Sequence, residues 1–407
     1  MGSISWISLI GIGVLIVIAW GLSYHRKDIN WRTVGGAFFL QASLGAFVLY
    51  IPFGKDVLYS VSQYVQAVID YAKSGINFLF GGIGEFQIGF IFAFHVLPVI
   101  VFFSSLIAVL YYLGIMNKVI NILGGGLQKL LGTSRTESMS ATANIFVGQT
   151  EAPLVVKPFI PTMTQSELFA IMVGGLASVA GSILAGYVGL GIDIKYLIAA
   201  SFMAAPGGLL MAKLILPETE QVRTDLAEIE DAQDKPVNVI DAAATGASNG
   251  MQLAMNVGAM LLAFVALVAM LNGILGGIGG WFGYPDLSLQ LLLGYIFQPL
   301  AFVLGVPWDE ANLAGSFIGQ KMVINEFFAY TDFISHKEQL SHQTQAIVTF
   351  ALCGFANLSS IAILLGGIGG MAPSRRKDIA RLGFKAMLAA SLANFMSAAI
   401  AGFFISL

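Results

Sequence analysis

Charged residues are scarce in this chain. Asp, Glu, Lys and Arg make up 11% of its 407 residues, whereas soluble domains carry roughly 25%. With a mean hydropathy of +0.81, the chain has too little polar surface to cover a globule in water. Apolar runs of about 20 residues are each long enough for a bilayer core. They predict an all-α polytopic membrane protein with spans at 4–23, 34–53, 88–112, 167–188, 196–216, 253–274, 346–369 and 380–407.

Cysteine is almost absent, and so are enzymatic motifs. Cys353 is the single cysteine, which excludes an intrachain disulfide and a cysteine metal cluster. No HExxH or other close His/Glu metal spacing occurs among the four histidines. The glycine runs 123-LGGGLQK-129 and 275-LGGIGGWFG-283 do not follow a strand, which argues against a phosphate loop. We therefore expect neither enzymatic activity nor a cofactor.

A cleavable leader is not expected either, because the first apolar run is span-length and lacks a basic start and a small-residue cleavage site. It is predicted to be a retained helix. Basic residues cluster after the first and third runs and between the last two. By the positive-inside rule these loops are cytoplasmic, which predicts that both termini lie outside.

Two segments differ from the apolar spans. Residues 55–75 carry apolar side chains at helical spacing between Ser, Gln, Asp and Lys, which predicts a helix lying in the membrane interface over about 55–78. Residues 217–235 contain seven acids. This polar stretch is predicted to be a solvated cytoplasmic connector.

Two halves of the chain resemble each other weakly, in conserved order. The first half contains 146-FVGQTE-151, 175-GLASVAGSILAG-186 and 197-LIAASFMAA-205; the second contains 317-FIGQKM-322 with 325-NEF-327, 354-GFANLSSIAILLG-366 and 388-LAASLANFMSA-398. The positive-inside assignment starts the first block in the cytoplasm and the second outside. Inverted repeats of this kind are typical of secondary transporters. They require that the apolar run 289–304 does not cross the membrane. A ninth span would contradict the orientation that the positive-inside rule predicts.

The stretch 144-NIFVGQTEAPLVV-156 places an amide, a hydroxyl, a carboxylate and a proline among apolar residues. The region 137–164 predicts a re-entrant hairpin of two half helices with its tip at 148–153, a backbone tolerated at membrane depth only in a cavity or inside protein. A charge at the bilayer centre costs at least roughly 2.5 to 3.5 kcal/mol, so Glu151 is predicted to be functional. Alternatively, Glu151 pairs with Lys157 or lies among the headgroups.

A second hairpin is predicted over about 310–332, where Glu326 follows Asn325 and matches Glu151. The spans after both hairpins carry polar residues in their middles. Ser182 and Ser359 are typical of close helix packing, whereas the amide of Asn357 has four hydrogen-bonding positions to satisfy.

Part of the first of these spans is a candidate ion site. Unwinding of 178-SVAG-181 would release carbonyl oxygens, which are ligands for a hard monovalent cation. Together with Asn144 in the nearby hairpin, this indicates an oxygen-only cation site. The full polar set holds carboxylates, amides and hydroxyls without arginine, which favours a neutral polar ligand offering O–H and N–H donors. Lys157 and Lys321 leave an anionic substrate open.

Three long motifs carry a resemblance to a known family. The segments 133-TSRTESMSATANIFVGQTEAPLVVKPF-159, 325-NEFFAY-330 and 351-ALCGFANLSSIAILLGG-367 closely resemble the concentrative nucleoside transporter family, especially its shorter bacterial, sodium-coupled members. The similarity extends over practically the whole chain. It implies a sodium:nucleoside symporter of the bacterial cytoplasmic (inner) membrane. Eight transmembrane helices, two re-entrant hairpins and an interfacial helix would form a homotrimer, in which a transport domain moves like an elevator against a fixed scaffold.

The resemblance also implies roles for individual residues. The nucleobase would bind at the tip of the first hairpin, on Gln149, Thr150 and Glu151, with Gly148 permitting close approach. The ribose hydroxyls would meet Glu326, Asn357 and Ser360, and apolar contacts would come from Ile183 and Phe355. Sodium would be held by side chains of Asn144 and Ser178 and by carbonyls of Asn144, Val147, Ser178 and Val179.

The resemblance also implies a division into domains, and two other functions stay open beside it. The scaffold would comprise 1–131 and 251–306, the transport domain 132–216 and 307–407, with 217–250 as the connector. Proton coupling through Glu151 or Glu326 is one alternative, and a membrane enzyme acting on a nucleoside or lipid is another. The expected partners are sodium, the lipid bilayer and nucleosides, uridine-like and also purine, without nucleic acid. Preference between purines and pyrimidines stays open.

Overall fold

The computed structural model describes residues 3–85, 89–222 and 236–407. Over these ranges all regular elements are helices and no strand is present, which confirms the predicted all-α class for this part of the chain. Most of the predicted acidic connector, residues 223–235, lies outside the described residues, as does the first residue of the predicted span 88–112.

The described part of the first half is largely α-helical, and its longest stretch without α-helix is 144–164. They are α1 (Ser3–Gly21), α2 (Trp31–Leu49), α3 (Pro52–Phe80), α4 (Phe92–His95), α5 (Leu97–Tyr112), α6 (Ile115–Leu131), α7 (Arg135–Ala143), α8 (Gln165–Ala177), α9 (Gly181–Leu190) and α10 (Ile194–Ile215).

The described part of the second half is also helical. Its helices are α11 (Val239–Trp281), α12 (Leu289–Val303), α13 (Trp308–Val323), α14 (Glu326–His336), α15 (His342–Leu352), α16 (Leu358–Met371) and α17 (Arg376–Ile405).

Six of the eight predicted spans coincide with described helices that are long and apolar enough to cross a membrane. The first predicted span is a shorter apolar helix, Trp6–Gly21 within α1. The seventh is interrupted, because residues 353–357 separate α15 from α16. Crossing by all eight therefore stays a prediction.

Both helices that follow a hairpin are broken in the middle. α8 ends at Ala177 and α9 begins at Gly181, while the backbone of Ser178 is extended, with φ −101° and ψ 175°. The interruption anticipated for 178–181 is therefore present. α15 and α16 are separated in the same way at 353–357, so the order of hairpin, broken helix and long helix occurs in both halves.

The first hairpin differs from the prediction in its second arm. Its first arm is α7, but residues Ala152–Thr162 form a 3-10 helix instead of a second α-helical half. Pro158 and Pro161 lie inside this segment. Because proline has no N–H and clashes with the preceding helical turn, a regular α-helix is not maintained here.

The second hairpin has two α-helical arms, α13 and α14, which cover the predicted region 310–332 and extend beyond it at both ends. The apolar run 289–304 is α12, and it is bent by 116° from α13. The two helices approach closely at Gly315, where a β-carbon would lie 2.8 Å from the backbone nitrogen of Gln298. The sharp bend agrees with a run that does not continue across the membrane, and its non-crossing stays a prediction.

Among the described residues, α3 and α6 are clearly amphipathic, and the sequence predicted only α3. α3 contains the predicted interfacial segment and extends it at both ends. α6 was missed because the glycine run 123–129 reads as a turn. It is a helix that buries Met116, Ile120 and Leu127 on one face.

Burial separates an enclosed centre from an outer layer. α8, α9 and α10 are almost entirely buried, whereas most of α11 is exposed. α11 also begins at Val239, inside the predicted connector, and its 43 residues at 1.5 Å each would extend about 64 Å. That length is roughly twice the thickness of a bilayer core, so α11 is longer than the predicted span 253–274 by far more than one turn.

Candidate functional site

One cavity collects the residues predicted to bind substrate. Its volume is about 130 Å³. All nine predicted residues line it: Gly148, Gln149, Thr150, Glu151, Ile183, Glu326, Phe355, Asn357 and Ser360. They come from the turn of the first hairpin, the start of α9, the start of α14 and the second helix break. Glu151 and Glu326 therefore share a single cavity.

Glu326 lies at the first position of α14 and is buried. Asn325 caps this helix, because its side-chain oxygen accepts a hydrogen bond from the backbone N–H of Phe328 at 2.8 Å. A carboxylate at a helix N-terminus is favoured by the helix dipole. Its two oxygens accept hydrogen bonds from Tyr187 Oη and Asn357 Nδ2, each at 3.1 Å. The carboxylate is thus held in a fixed orientation toward the cavity.

Asn357 is a second organising residue, as the cap of α16. Its Oδ1 accepts hydrogen bonds from the backbone N–H of Ser360 at 2.9 Å and from the hydroxyls of Ser359 at 2.7 Å and Ser360 at 3.0 Å. Its Nδ2 donates to Glu326. The buried amide of Asn357 therefore makes four hydrogen bonds with its neighbours. The same network presents carboxylate and hydroxyl groups to a ligand.

The tip of the first hairpin supplies the opposite polar wall. Glu151 Oε2 accepts a hydrogen bond from the backbone N–H of Gly148 at 2.6 Å. Within the described residues no ion pair joins Glu151 to Lys157, so that alternative is not supported. The side-chain oxygen of Gln149 is buried without a partner. An acceptor in this state is ready for a donor from a ligand.

The base of the first hairpin is fixed by charged residues. Glu137 and Glu167 each close a capping box at the start of α7 and α8. Thr136 donates a hydrogen bond to Glu167 at 2.8 Å, and buried Lys213 of α10 forms an ion pair with Glu137. These contacts hold the hairpin against two buried helices and so set the position of its tip.

The predicted sodium ligands lie beside this cavity. Asn144 caps the end of α7, and both polar atoms of its side chain are buried without a partner. Ser178 and Val179 lie in the first helix break, which the hairpin contacts through a 3.0 Å hydrogen bond from Gly181 N–H to the Phe146 carbonyl. An unpaired buried amide oxygen next to unwound backbone suits a hard cation such as sodium. Val147 is buried in the same turn.

Several lining residues were not predicted. α11 closes one side with Leu253, Val257, Met260 and Leu261. Tyr187 does not line the cavity but orients Glu326, and it was missed because a tyrosine in an apolar span reads as packing. Its position four residues after Ile183 places both on one helix face, which is a signal that the sequence did contain.

Because of Lys157 and Lys321, the sequence was also compatible with an anionic substrate. Neither lysine lines the cavity. Lys157 is exposed. Lys321 is fully buried, and its ammonium donates to the Ala351 carbonyl at 2.7 Å and to Asn394 Oδ1 at 2.8 Å. The polar groups that face the cavity therefore contain carboxylates, amides and hydroxyls, which suit a neutral ligand rich in donors.

Three family profiles match this chain. They are described as Na+ dependent nucleoside transporter N-terminus, over residues 10–83, nucleoside recognition, over 93–193, and Na+ dependent nucleoside transporter C-terminus, over 196–402.

Related proteins match over nearly the full length. The nucleoside permease NupC of Helicobacter pylori is 52% identical, over 99% of this chain and 98% of that protein. The mouse sodium/nucleoside cotransporter 1 is 37% identical, over 97% of this chain and 63% of its own length. A solved structure of CNTnw in an inward-facing, substrate-bound state has 60% identity and a TM-score of 0.94, covering 99% of this chain and 98% of that chain. This chain therefore belongs to the concentrative nucleoside transporter family.

Proposed function

We propose that the protein is a secondary active symporter that imports nucleosides together with sodium. The observation that carries this proposal is the convergence of all nine predicted substrate residues on one cavity, beside an unpaired buried amide at a helix break. In the described residues no group of His, Cys, Asp and Glu could hold a metal ion. We assign the cavity to binding on the basis of that convergence.

The ligand's two halves would be recognised by different walls. Glu326, Asn357 and Ser360 would accept and donate hydrogen bonds to the ribose hydroxyls. Gln149, Thr150 and Glu151 would bind the nucleobase edge, while Ile183 and Phe355 would contact its faces. A neutral nucleoside provides several donors for these acceptors and brings no charge that would need an arginine.

Sodium would be held by Asn144, Val147, Ser178 and Val179, within the hairpin and the break that also frame the nucleoside cavity. One sodium ion entering down about 100 mV contributes about 2.3 kcal/mol, and a tenfold gradient contributes about another 1.4 kcal/mol. Together these energies would sustain several-hundred-fold accumulation of a neutral nucleoside.

The architecture proposed for transport is an elevator in a homotrimer of the bacterial inner membrane. The two hairpins would be re-entrant and, with the broken helices, would form the moving domain. The first three spans and α11 would form the scaffold, with both chain termini outside. Support comes from the contrast between the enclosed α8 to α10 and the exposed, apolar α11, which needs lipid or another subunit along its length.

Uptake into sealed vesicles tests the function. Purified protein in liposomes is expected to accumulate labelled uridine, adenosine or guanosine when a sodium gradient is applied, and to lose accumulation when sodium is replaced by choline. Uptake that survives without sodium but collapses with a protonophore would instead support proton coupling through Glu151 or Glu326. The contents are also analysed chemically, since altered uridine would support an enzyme.

Removing the hydroxyl of Tyr187 is expected to weaken nucleoside binding. In Tyr187→Phe one oxygen of buried Glu326 loses its donor, and hydrogen bonds to charged groups contribute about 1.5 to 3 kcal/mol. We expect nucleoside affinity to fall by about tenfold, measured by equilibrium binding at saturating sodium.

Tyr330→Phe is the matched control for this substitution. Tyr330 is also fully buried, but its hydroxyl donates to the Thr349 carbonyl at 2.8 Å and not to Glu326. Its affinity should stay near that of the unmodified protein. Equal affinities in the two variants would mean that Tyr187 does not position Glu326 for the ligand.

A further inference from the structure

The buried side chain of Lys321 contacts the C-terminus of one helix directly and that of a second helix through Asn394. Lys321 itself lies in the last turn of α13. Its ammonium donates to the carbonyl of Ala351, in the last turn of α15. It also donates to Asn394 Oδ1, and the Asn394 amide in turn donates to the carbonyl of Ala177, the last residue of α8, at 2.7 Å. Helix C-termini carry partial negative charge and favour a cation.

The same cluster joins the two helix breaks. Asn394 Nδ2 also donates to the Cys353 carbonyl at 2.9 Å, and the backbone N–H of Phe355 donates to the Ser178 carbonyl at 3.2 Å. Gly354 permits this approach, since a β-carbon there would lie 2.3 Å from Asn394 Oδ1. Lys321 is therefore linked through Asn394 to the carbonyl of Ala177, the residue that precedes the predicted sodium ligand Ser178.

The position of Lys321 in the second half corresponds to that of the sodium site in the first. The proposed sodium ligands lie where the first arm of the hairpin, α7, ends beside the break after α8. Lys321 lies where the first arm of the other hairpin, α13, ends beside the break after α15. In one half the buried, unpaired side chain of Asn144 lies at the end of the first arm, and in the other the buried ammonium of Lys321 lies there.

Charge balance near the cavity is a further reason to compare Lys321 with a bound sodium ion. Glu151 and Glu326 bring two carboxyl groups to the cavity, and Lys321 precedes Glu326 by five residues in the same hairpin. With both carboxyl groups ionised, one sodium ion together with a charged Lys321 would balance them. A buried site without net charge crosses a low-dielectric barrier at much lower cost than a charged one.

On the basis of the proposed sodium-coupled nucleoside transport, we propose that Lys321 is a built-in cation. It occupies the counterpart of the sodium site in the second half, so that one sodium ion suffices for each nucleoside. Lys321 is a positioning and charge-balancing residue, since it does not line the nucleoside cavity.

The test measures nucleoside affinity as a function of sodium concentration in purified protein. The unmodified protein is expected to give a slope of about one for log affinity against log sodium below saturation. Lys321→Ser removes the ammonium group and leaves a space that a cation could occupy. The carbonyl of Ala351, the side-chain oxygen of Asn394 and the new hydroxyl would line this space. A second sodium ion should fill it, and the slope should rise to about two.

Two further variants separate charge from hydrogen bonding. Lys321→Gln keeps a donor and most of the volume but has no charge, so nucleoside affinity at saturating sodium should fall at least tenfold. Lys195→Ser removes an exposed lysine at the start of α10 and should leave both slope and affinity unchanged.

Several outcomes would overturn the inference. A slope of two in the unmodified protein would do so without any variant, and so would a slope of one with unchanged affinity in Lys321→Ser. If Lys321→Ser does not fold, normal affinity in Lys321→Gln would have the same meaning. Nucleoside binding that ignores sodium in the unmodified protein would instead refute the proposed sodium coupling itself.

Discussion

Glu326→Gln is expected to abolish nucleoside uptake while leaving the protein folded. Tyr187 and Asn357 both donate to the carboxylate, and a glutamine would offer one acceptor and one donor to the same two donors. The ribose hydroxyls would also lose a charged acceptor. Each hydrogen bond to a charged group contributes about 1.5 to 3 kcal/mol. We therefore expect initial uptake rates to fall at least about 100-fold.

The control for this substitution is Glu338→Gln, which changes an exposed carboxylate in the turn after the same hairpin. It should transport normally. Size-exclusion chromatography and thermal unfolding of both variants would show whether they remain folded. Near-normal uptake by Glu326→Gln would remove Glu326 from the binding site.

Deoxynucleosides test whether Glu326 binds the hydroxyls of the ribose. Removing the 2′ or 3′ hydroxyl from the ligand should weaken binding to the unmodified protein. In Glu326→Gln the same removal should cost much less, because the interaction is already lost; such non-additivity is expected of groups in contact. If deoxynucleosides are discriminated equally by both proteins, Glu326 binds something other than the ribose.

The carboxylates and amides of the cavity could be predicted from sequence because placing such polar groups at membrane depth costs free energy. Glu151, Glu326 and Asn357 stand out in apolar surroundings, and such residues persist mainly where a function holds them. All three line one cavity. The helix break at Ser178 was foreseeable for a similar reason, since small residues between apolar runs reduce the tendency to remain helical.

Other features depend on neighbours that are distant in sequence. Tyr187 meets Glu326 across 139 positions, and its spacing of four residues from Ile183 places it on the same helix face without revealing this partner. The glycines of α6 resemble turn residues, yet Gly124 lies in the helix close to the backbone of Met139. Packing against another helix overrides local propensity in such cases.

The limits of α11 and of the first hairpin show a further difficulty. Hydropathy defines the apolar middle of a helix but does not mark its polar continuation, so α11 begins well before the predicted span. In the hairpin, prolines indicated that a plain helix was excluded. They did not distinguish a short α-helix from the 3-10 helix found at Ala152–Thr162, because prolines within one or two turns are compatible with either.

Asn144→Ala is expected to weaken sodium dependence before it affects nucleoside binding. Asn144 is buried, and its amide has no partner within the described protein, so its removal takes away a proposed sodium ligand without breaking a structural hydrogen bond. We expect the half-saturating sodium concentration for uptake to rise at least about tenfold, equivalent to about 1.4 kcal/mol. At saturating sodium, nucleoside affinity should change much less.

Thr142→Val supplies the comparison for Asn144→Ala on the same helix. Thr142 is equally buried, but its hydroxyl donates to the Ser138 carbonyl at 2.8 Å, so its loss should leave the sodium response intact. A sodium response unchanged in Asn144→Ala would place the ion away from the end of α7. The counterpart relation with Lys321 would then fail, even if the nucleoside cavity were assigned correctly. A raised sodium requirement in Asn144→Ala alone would support an ion held jointly by hairpin and helix break, where its binding can organise the residues that meet the nucleobase.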